Sequence, residues 1–399
     1  MPLATDSLHT IIRQELSDLV AIRHDLHAHP ELAYQEKRTS SVVRDQLAKA
    51  GVEVKGGLAG GTGVLGHLPG RGDHVIGLRA DMDALPIHEA NDIEYRSQYD
   101  GVMHACGHDG HTTILIGAAR VLARLAESDG LPRPVTFVFQ PAEEGGAGAE
   151  KMIRDGCLDG GALGPPITEM FGLHGWPRIP LGQVGSRPGP MLAAADSFDV
   201  TVHGVGGHAA WPQIGHDPVV AGAAIVNALQ TIASRNVSTL ESVVVSVTRF
   251  NAGTAYNIIP DEATLAGTVR TLTPAVQDQA EKRINEIATG VAEAYGCRAT
   301  VDYQRGYPST VNDVEKVEVF RSVATEAFGA EHVVELEQPV MGGEDFAYYA
   351  QKVPACFFVL GLIPQGADAV PDLHQPRFNF NDDAIEQGIE MFCRLALRG

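Results

Sequence analysis

Val135-Thr-Phe-Val-Phe-Gln-Pro-Ala-Glu-Glu144 carries the clearest architectural signal in the chain. Residues 135–139 are a short, unbroken apolar run, as expected of a strand buried on both faces, the habit of parallel strands in α/β proteins. Proline then stops the strand, and two adjacent carboxylates follow. Neighbouring segments repeat the pattern. Residues 74–80 form an apolar run ending in Asp81-Met-Asp83, residues 113–126 space their apolar side chains as a helix, and residues 168–173 read as a further strand. Such alternation predicts α/β layers around a largely parallel sheet.

The pattern changes near residue 190. Residues 197–204 read as a strand, 218–235 as a helix, 242–250 and 262–272 as two strands, 274–296 as a helix and 297–304 as a strand. This β-α-β-β-α-β order is the ferredoxin-like arrangement. Beyond about 305 the α/β pattern returns, with a helix at 312–328, an apolar strand at 355–362 and a C-terminal helix from about Asp382. The expected organisation is a discontinuous catalytic domain, 1–190 with 305–399, carrying an inserted ferredoxin-like α+β domain at 191–304.

The 399 residues carry 30 Lys and Arg against 50 Asp and Glu, a formal charge of −20. A surface that acidic repels phosphate backbones and anionic lipid, so neither nucleic acid nor a membrane is expected as a partner. No run of 18 apolar residues is present to span a bilayer. The N-terminal stretch reads as an amphipathic helix without an export signal. Five cysteines are too few and too scattered for a disulfide framework, and a reducing cytoplasm fits them.

Chemistry concentrates in His104-Ala-Cys106-Gly-His108-Asp109-Gly-His111. Cysteine, histidine and aspartate within eight residues offer soft and borderline metal ligands, and a buried thiolate needs a nearby cation to persist at neutral pH. Glu143 and Glu144 point in different directions, so one can bind metal while the other carries a proton. Asp81, Glu143, Glu144 and His174 all follow expected strands, where α/β sheets place their ligands. His174 lies in Gly-Leu-His-Gly-Trp-Pro177, and His374 in Asp-Leu-His-Gln-Pro376. Cys106, His108, Glu144, His174 and His374 are too many ligands for one open zinc, and suit two metals with a shared ligand. In the inserted segment, Gly204-Val-Gly-Gly-His208 presents a histidine on a glycine-rich turn, and Asn257 and Arg270 lie in neighbouring strands. An arginine there could grip a carboxylate or simply face solvent. Gly61-Thr-Gly63-Val-Leu-Gly66 matches a dinucleotide-binding pattern but is followed by a turn rather than a helix. His24, His27 and His29 read as helix and loop residues rather than ligands.

Taken together, the motifs resemble the M20 family of metallopeptidases and amidohydrolases. The match is to its aminoacylase-like branch, which includes hippurate hydrolases and plant auxin-conjugate hydrolases. The segments that carry the resemblance are His27-Ala-His-Pro-Glu-Leu32, Arg79-Ala-Asp-Met-Asp-Ala-Leu-Pro86, Met103-His-Ala-Cys-Gly-His-Asp109, Gln140-Pro-Ala-Glu-Glu144, Gly206-Gly-His-Ala-Ala210, Glu344-Asp-Phe346 and the His374 loop. The resemblance implies a zinc-peptidase-like α/β/α catalytic domain with two divalent metal ions, and an inserted lid that also forms a homodimer. Cys106, His108, Glu144, His174 and His374 fall on the ligand positions, with Cys106 as the bridge. Glu143 falls on the general base and Asp81 on the acid that orients the site. His208 matches a lid histidine that reaches the partner subunit's site, and Asn257 and Arg270 match substrate contacts. Arg79 stands where other branches have a metal-binding histidine, so it is not counted as a ligand. Gly343 replaces the usual serine or similar residue, and Gln213 stands where a histidine is common. The implied reaction is hydrolysis of N-acyl amino acids, and the stretch from Gly306 to Asn312 resembles hippurate hydrolases. Ligand softness favours zinc; the family leaves manganese, cobalt and nickel open. A dipeptidase or carboxypeptidase of the same fold is the nearest alternative, and a non-catalytic metal-binding protein the next.

Overall fold

The structure, a computed structural model, describes residues 5–398, so the first four residues of the N-terminal stretch lie outside it. The chain divides into two compact units. The larger contains the residues up to Gly189, Val311–Glu337 and those from Tyr348 onward; the smaller contains Pro190–Thr310 and Gln338–Ala347. The return to the larger unit thus begins at Val311, and Gln338–Ala347, which holds Glu344, groups with the smaller one.

The larger unit is built on an eight-stranded sheet. Its strands lie in the order Glu53–Leu58, Gly63–Leu68, Val135–Gln140, Ile76–Asp81, Glu169–Pro180, Ala355–Ile363, Val184–Ser186 and Val333–Glu335. The four in the middle, from Val135–Gln140 to Ala355–Ile363, run parallel. Val135–Gln140 and Ile76–Asp81 are buried at every position, which explains why both read as continuous apolar runs. Helices Thr5–Ala28, His108–Asp129 and Ala384–Leu397 pack against one another, and their apolar faces form the main core with the sheet.

Parts of this unit depart from the sequence pattern, among them the short strands Val184–Ser186 and Val333–Glu335 and helix Lys37–Lys49. The Glu53–Leu58 and Gly63–Leu68 hairpin was not expected, because its glycines mask the alternation. Gly61 and Gly63 sit at its turn, in an antiparallel ladder rather than a strand-to-helix phosphate loop. The strand expected at 168–173 runs on to Pro180. It stays paired with Ala355–Ile363, His174 opposite Val359, so His174 lies within a strand rather than after one.

The smaller unit is a four-stranded antiparallel sheet in the order Val243–Ala252, Glu262–Thr271, Ala194–His203, Arg298–Tyr307. Helices Pro218–Leu229 and Pro274–Ala294 pack on it around a core of their own. Each starts with proline in its first turn behind a capping side chain, Asp217 or Thr273. A Cβ at Gly343 would come within 2.8 Å of the Ala195 Cβ. That crowding accounts for glycine at this position.

Candidate active site

The sheet positions the site. Ile76–Asp81 ends at Asp81, opposite Gln140 of the parallel neighbour, and Pro141-Ala142-Glu143-Glu144 turns off that strand end. His174 comes from the next strand. Helix His108–Asp129 begins at His108, and Gly107 before it has φ +89°, in the left-handed region. This twist lets Cys106 and His108 flank the turn, and a Cβ at Gly107 would press to 3.0 Å from the Phe380 ring. The His374 loop is tied down by His374 N–H donating to Ala105 O at 2.8 Å. Ala142 and His374 are non-glycine residues with φ of +57° and +62°. Such strain clusters at functional sites.

The five ligand candidates converge. Sγ of Cys106 is 3.3 Å from Nε2 of His174, and Nε2 of His374 is 3.1 Å from Oε1 of Glu144. Cys106, His108 and His174 bring ligand atoms within 4.8 Å of one another, as do Cys106, Glu144 and His374. Cys106 belongs to both groups. Glu143 joins a third with His108 and Glu144.

Hydrogen bonds fix the tautomers. His108 Nδ1–H donates to the Asp83 carbonyl oxygen at 2.8 Å, and His174 Nδ1–H to the Gly175 carbonyl oxygen at 2.7 Å. A carbonyl only accepts, so in the neutral form each ring carries its lone pair on Nε2. His108 Nε2 is buried without a hydrogen-bond partner among the described residues. Metal-ligating histidines are oriented in this way.

Electrostatics point the same way. Burial, followed by the charges of Glu144, Glu143 and Asp81, pushes the Cys106 thiol well above the usual range. Burial also keeps His174 neutral, well below the usual imidazole value, with His111 adding to the effect. On His108 burial opposes a charge, yet Asp81 and Asp83 overcome it and lift the group to about 10. The acids here therefore favour positive charge among them, and a divalent metal in this place would also ionise Cys106. The soft and borderline donors, their separations and the orphaned His108 nitrogen fit such an ion.

Asp81 is buried and committed elsewhere. Oδ2 accepts from Arg79 at 2.7 Å and Oδ1 from His111 Nδ1 at 2.7 Å, while Arg79 Nε also donates to Gln140. His111 Nε2 accepts from Gly175 N–H at 2.7 Å, which ties Asp81 to the backbone beside His174. His208, Asn257 and Arg270 belong to the smaller unit. His208 lies on a two-residue ladder in which it pairs with Ile258, and Asn257 stands just before that strand, its carbonyl oxygen accepting from Ala209 N–H at 3.0 Å. His208 Nδ1 accepts from Ala210 N–H at 3.0 Å, leaving Nε2 as the donor. Arg270, on the strand Glu262–Thr271, donates to the carbonyl oxygens of Asp196 and Val269. His24 and His27 bond carboxylates of the larger unit, and His29 bonds the Asp25 carbonyl.

The sequence reading overlooked Glu36 and Asp83. Burial pushes the Glu36 carboxyl up to about 7, while it accepts from Thr62 Oγ1 and from the amides of Tyr34 and Ala142. The signal for Asp83 in the sequence is its place two residues beyond Asp81, just past a strand end.

The model of peptidase family M20/M25/M40 matches residues 77–398. The chain belongs to that family. An Arabidopsis thaliana relative, IAA-amino acid hydrolase ILR1-like 4, is 40% identical over 384 residues, covering 95% of this chain and 85% of its own. N-acetylcysteine deacetylase of Bacillus subtilis is 39% identical over 384 residues, covering 95% and 96%. Among solved structures, the Bacillus subtilis YxeP protein, described as a dinuclear metal-binding peptidase from the M20 family, superposes with a TM-score of 0.82. It shares 34% identity over 96% of this chain and 98% of its own. The M20 chain is accordingly an amide-bond hydrolase with a mixed α/β fold. No helix among its described residues is long and apolar enough to cross a membrane.

Proposed function

We propose that this M20 chain is a metal-dependent amidohydrolase that cleaves N-acyl amino acids to a carboxylic acid and a free amino acid. The observation that carries the reading is the convergence of Cys106, His108, Glu144, His174 and His374 into groups sharing Cys106, with Glu143 beside them. The names of the Arabidopsis and Bacillus relatives both denote an acid joined to an amino acid.

These five residues would hold two divalent cations with Cys106 as the common ligand, zinc by donor softness, with manganese, cobalt and nickel as the metals to screen beside it. Bound there, such ions supply Lewis acidity and lower the pKa of water from 15.7 to about 7. Glu143 accepts the proton of the attacking water and returns it to the departing nitrogen as the C–N bond breaks. Asp81, held by Arg79 and His111, orients the site. His208, delivered from a second copy of the chain, donates Nε2–H to the developing oxyanion, and one such donor is worth about 3 kcal/mol. Asn257 and Arg270 contact the substrate, Arg270 through its carboxylate. The homodimer forms through the smaller unit, whose edge strand Val243–Ala252 exposes Val244 and Phe250. The five cysteines are free and buried, as suits a reducing cytoplasm.

The test is metal analysis followed by a panel of benzoyl and acetyl amino acids beside dipeptides, under each metal. Hydrolysis of the acyl amino acids is expected. Turnover of dipeptides alone would favour a peptidase of the same fold, and no turnover with metal fully loaded would leave a binding protein.

A further inference from the structure

Three consecutive backbone amides lead through the acidic pair, and buried carboxylates take all three. Ala142 N–H donates to Glu36 Oε1 at 2.9 Å, Glu143 N–H to Asp83 Oδ1 at 3.0 Å and Glu144 N–H to Asp83 Oδ2 at 3.0 Å. With Ala142 left-handed, at φ +57°, this is the kind of backbone concavity that attracts an anion. Here the anions belong to the chain. Asp83 is 1% exposed. Its Oδ1 also lies 3.2 Å from His108 Nδ1, whose hydrogen bonds the Asp83 carbonyl. One aspartate therefore holds the backbone beneath Glu143 and Glu144 and sets the tautomer of His108.

We propose that Asp83 is a second positioning residue of this site, aiming Glu143, Glu144 and His108 together. The proposal rests on the metal-site reading above. Among the described residues Asp83 belongs to none of the candidate ligand groups, and it acts through the three groups it holds. Its chemistry makes a sharp distinction. Both carboxylate oxygens face N–H donors, so asparagine, nearly equal in shape, must turn its NH2 toward one of them. One amide orientation opposes the Glu144 N–H, and the other opposes the Glu143 N–H and the His108 Nδ1–H. Donor then meets donor in a buried place, and the turn carrying both glutamates must shift.

The experiment titrates the full chain, stripped of metal, with zinc against a chromogenic chelator, for wild type and Asp83→Asn. The visible spectrum of the cobalt-loaded forms is recorded beside it. Asp83→Asn is expected to keep the wild-type far-ultraviolet circular dichroism, weaken zinc binding roughly 10- to 100-fold and shift the cobalt d–d bands. Its kcat should fall more than its KM changes. A lowered Tm with wild-type zinc affinity and cobalt spectrum would show a merely structural role and overturn the proposal. Should Asp83→Asn fail to fold, Asp83→Ser, smaller and able to accept one amide, is read by the same measurements and the same expected losses. A wild type that binds no zinc would instead overturn the metal-site reading itself, so the two failures are distinct.

Discussion

At the scale of single residues, Glu143→Gln is the cleanest probe of proton transfer. It keeps the side chain's length and removes its basicity. Metal content should hold while kcat falls by about 10²- to 10⁴-fold, read by elemental analysis and steady-state kinetics. Near-wild-type turnover would remove Glu143 as the base. His27 makes a different prediction. Burial disfavours its charge, but Asp109 and Glu89 outweigh that and raise it to about 9 from the ordinary 6.5. A raised imidazole stabilises the fold fully below about pH 6.5, and that stability is lost as pH rises through about 9. The Tm difference between wild type and His27→Gln should therefore be largest near pH 6 and shrink toward pH 9.5. A constant difference would mean that His27 carries no charge in the fold. Cys106, His108 and His374 stand out in the sequence as candidates because thiol and imidazole are metal donors by residue type, and the structure brings them into the candidate groups. Asp83 and Glu36 do not, because accepting backbone amides needs only a carboxylate in the right place, and the place is set by strands far apart in sequence.

Among the elements, the turn into helix His108–Asp129 is the most exacting. Gly107→Ala places a side chain at φ +89° and 3.0 Å from Phe380. The strain alone costs about 1–3 kcal/mol, so Tm should fall, and zinc content should fall with it because Cys106 and His108 flank this residue. An unchanged metal content would mean that the turn does not set the ligand spacing. The buried parallel strands were legible because burial on both faces leaves an unbroken apolar run, as at Val135–Gln140. The antiparallel ferredoxin-like unit was legible from its order of elements. The Glu53–Leu58 hairpin strand was not, since glycine gives no facing preference. The continuation of Glu169–Pro180 past His174 was hidden by Gly175 and Pro177, and pairing with Ala355–Ile363 overrides both.

For the whole molecule, the proposed shared site makes a prediction that no single chain can mimic. Mixing inactive His208→Ala and Glu143→Ala chains should restore part of the activity, because a mixed dimer holds one site with both residues intact. No recovery, in mixtures shown to exchange subunits, would contradict delivery of His208 from a second copy. The paired cations are tested most directly by metal stoichiometry, from elemental analysis of the zinc-loaded chain with Cys106→Ala beside it. Two zinc ions per wild-type chain and a clear loss in the variant are expected; one ion or none in the wild type, or an unchanged content in Cys106→Ala, would rule out a binuclear site built on Cys106.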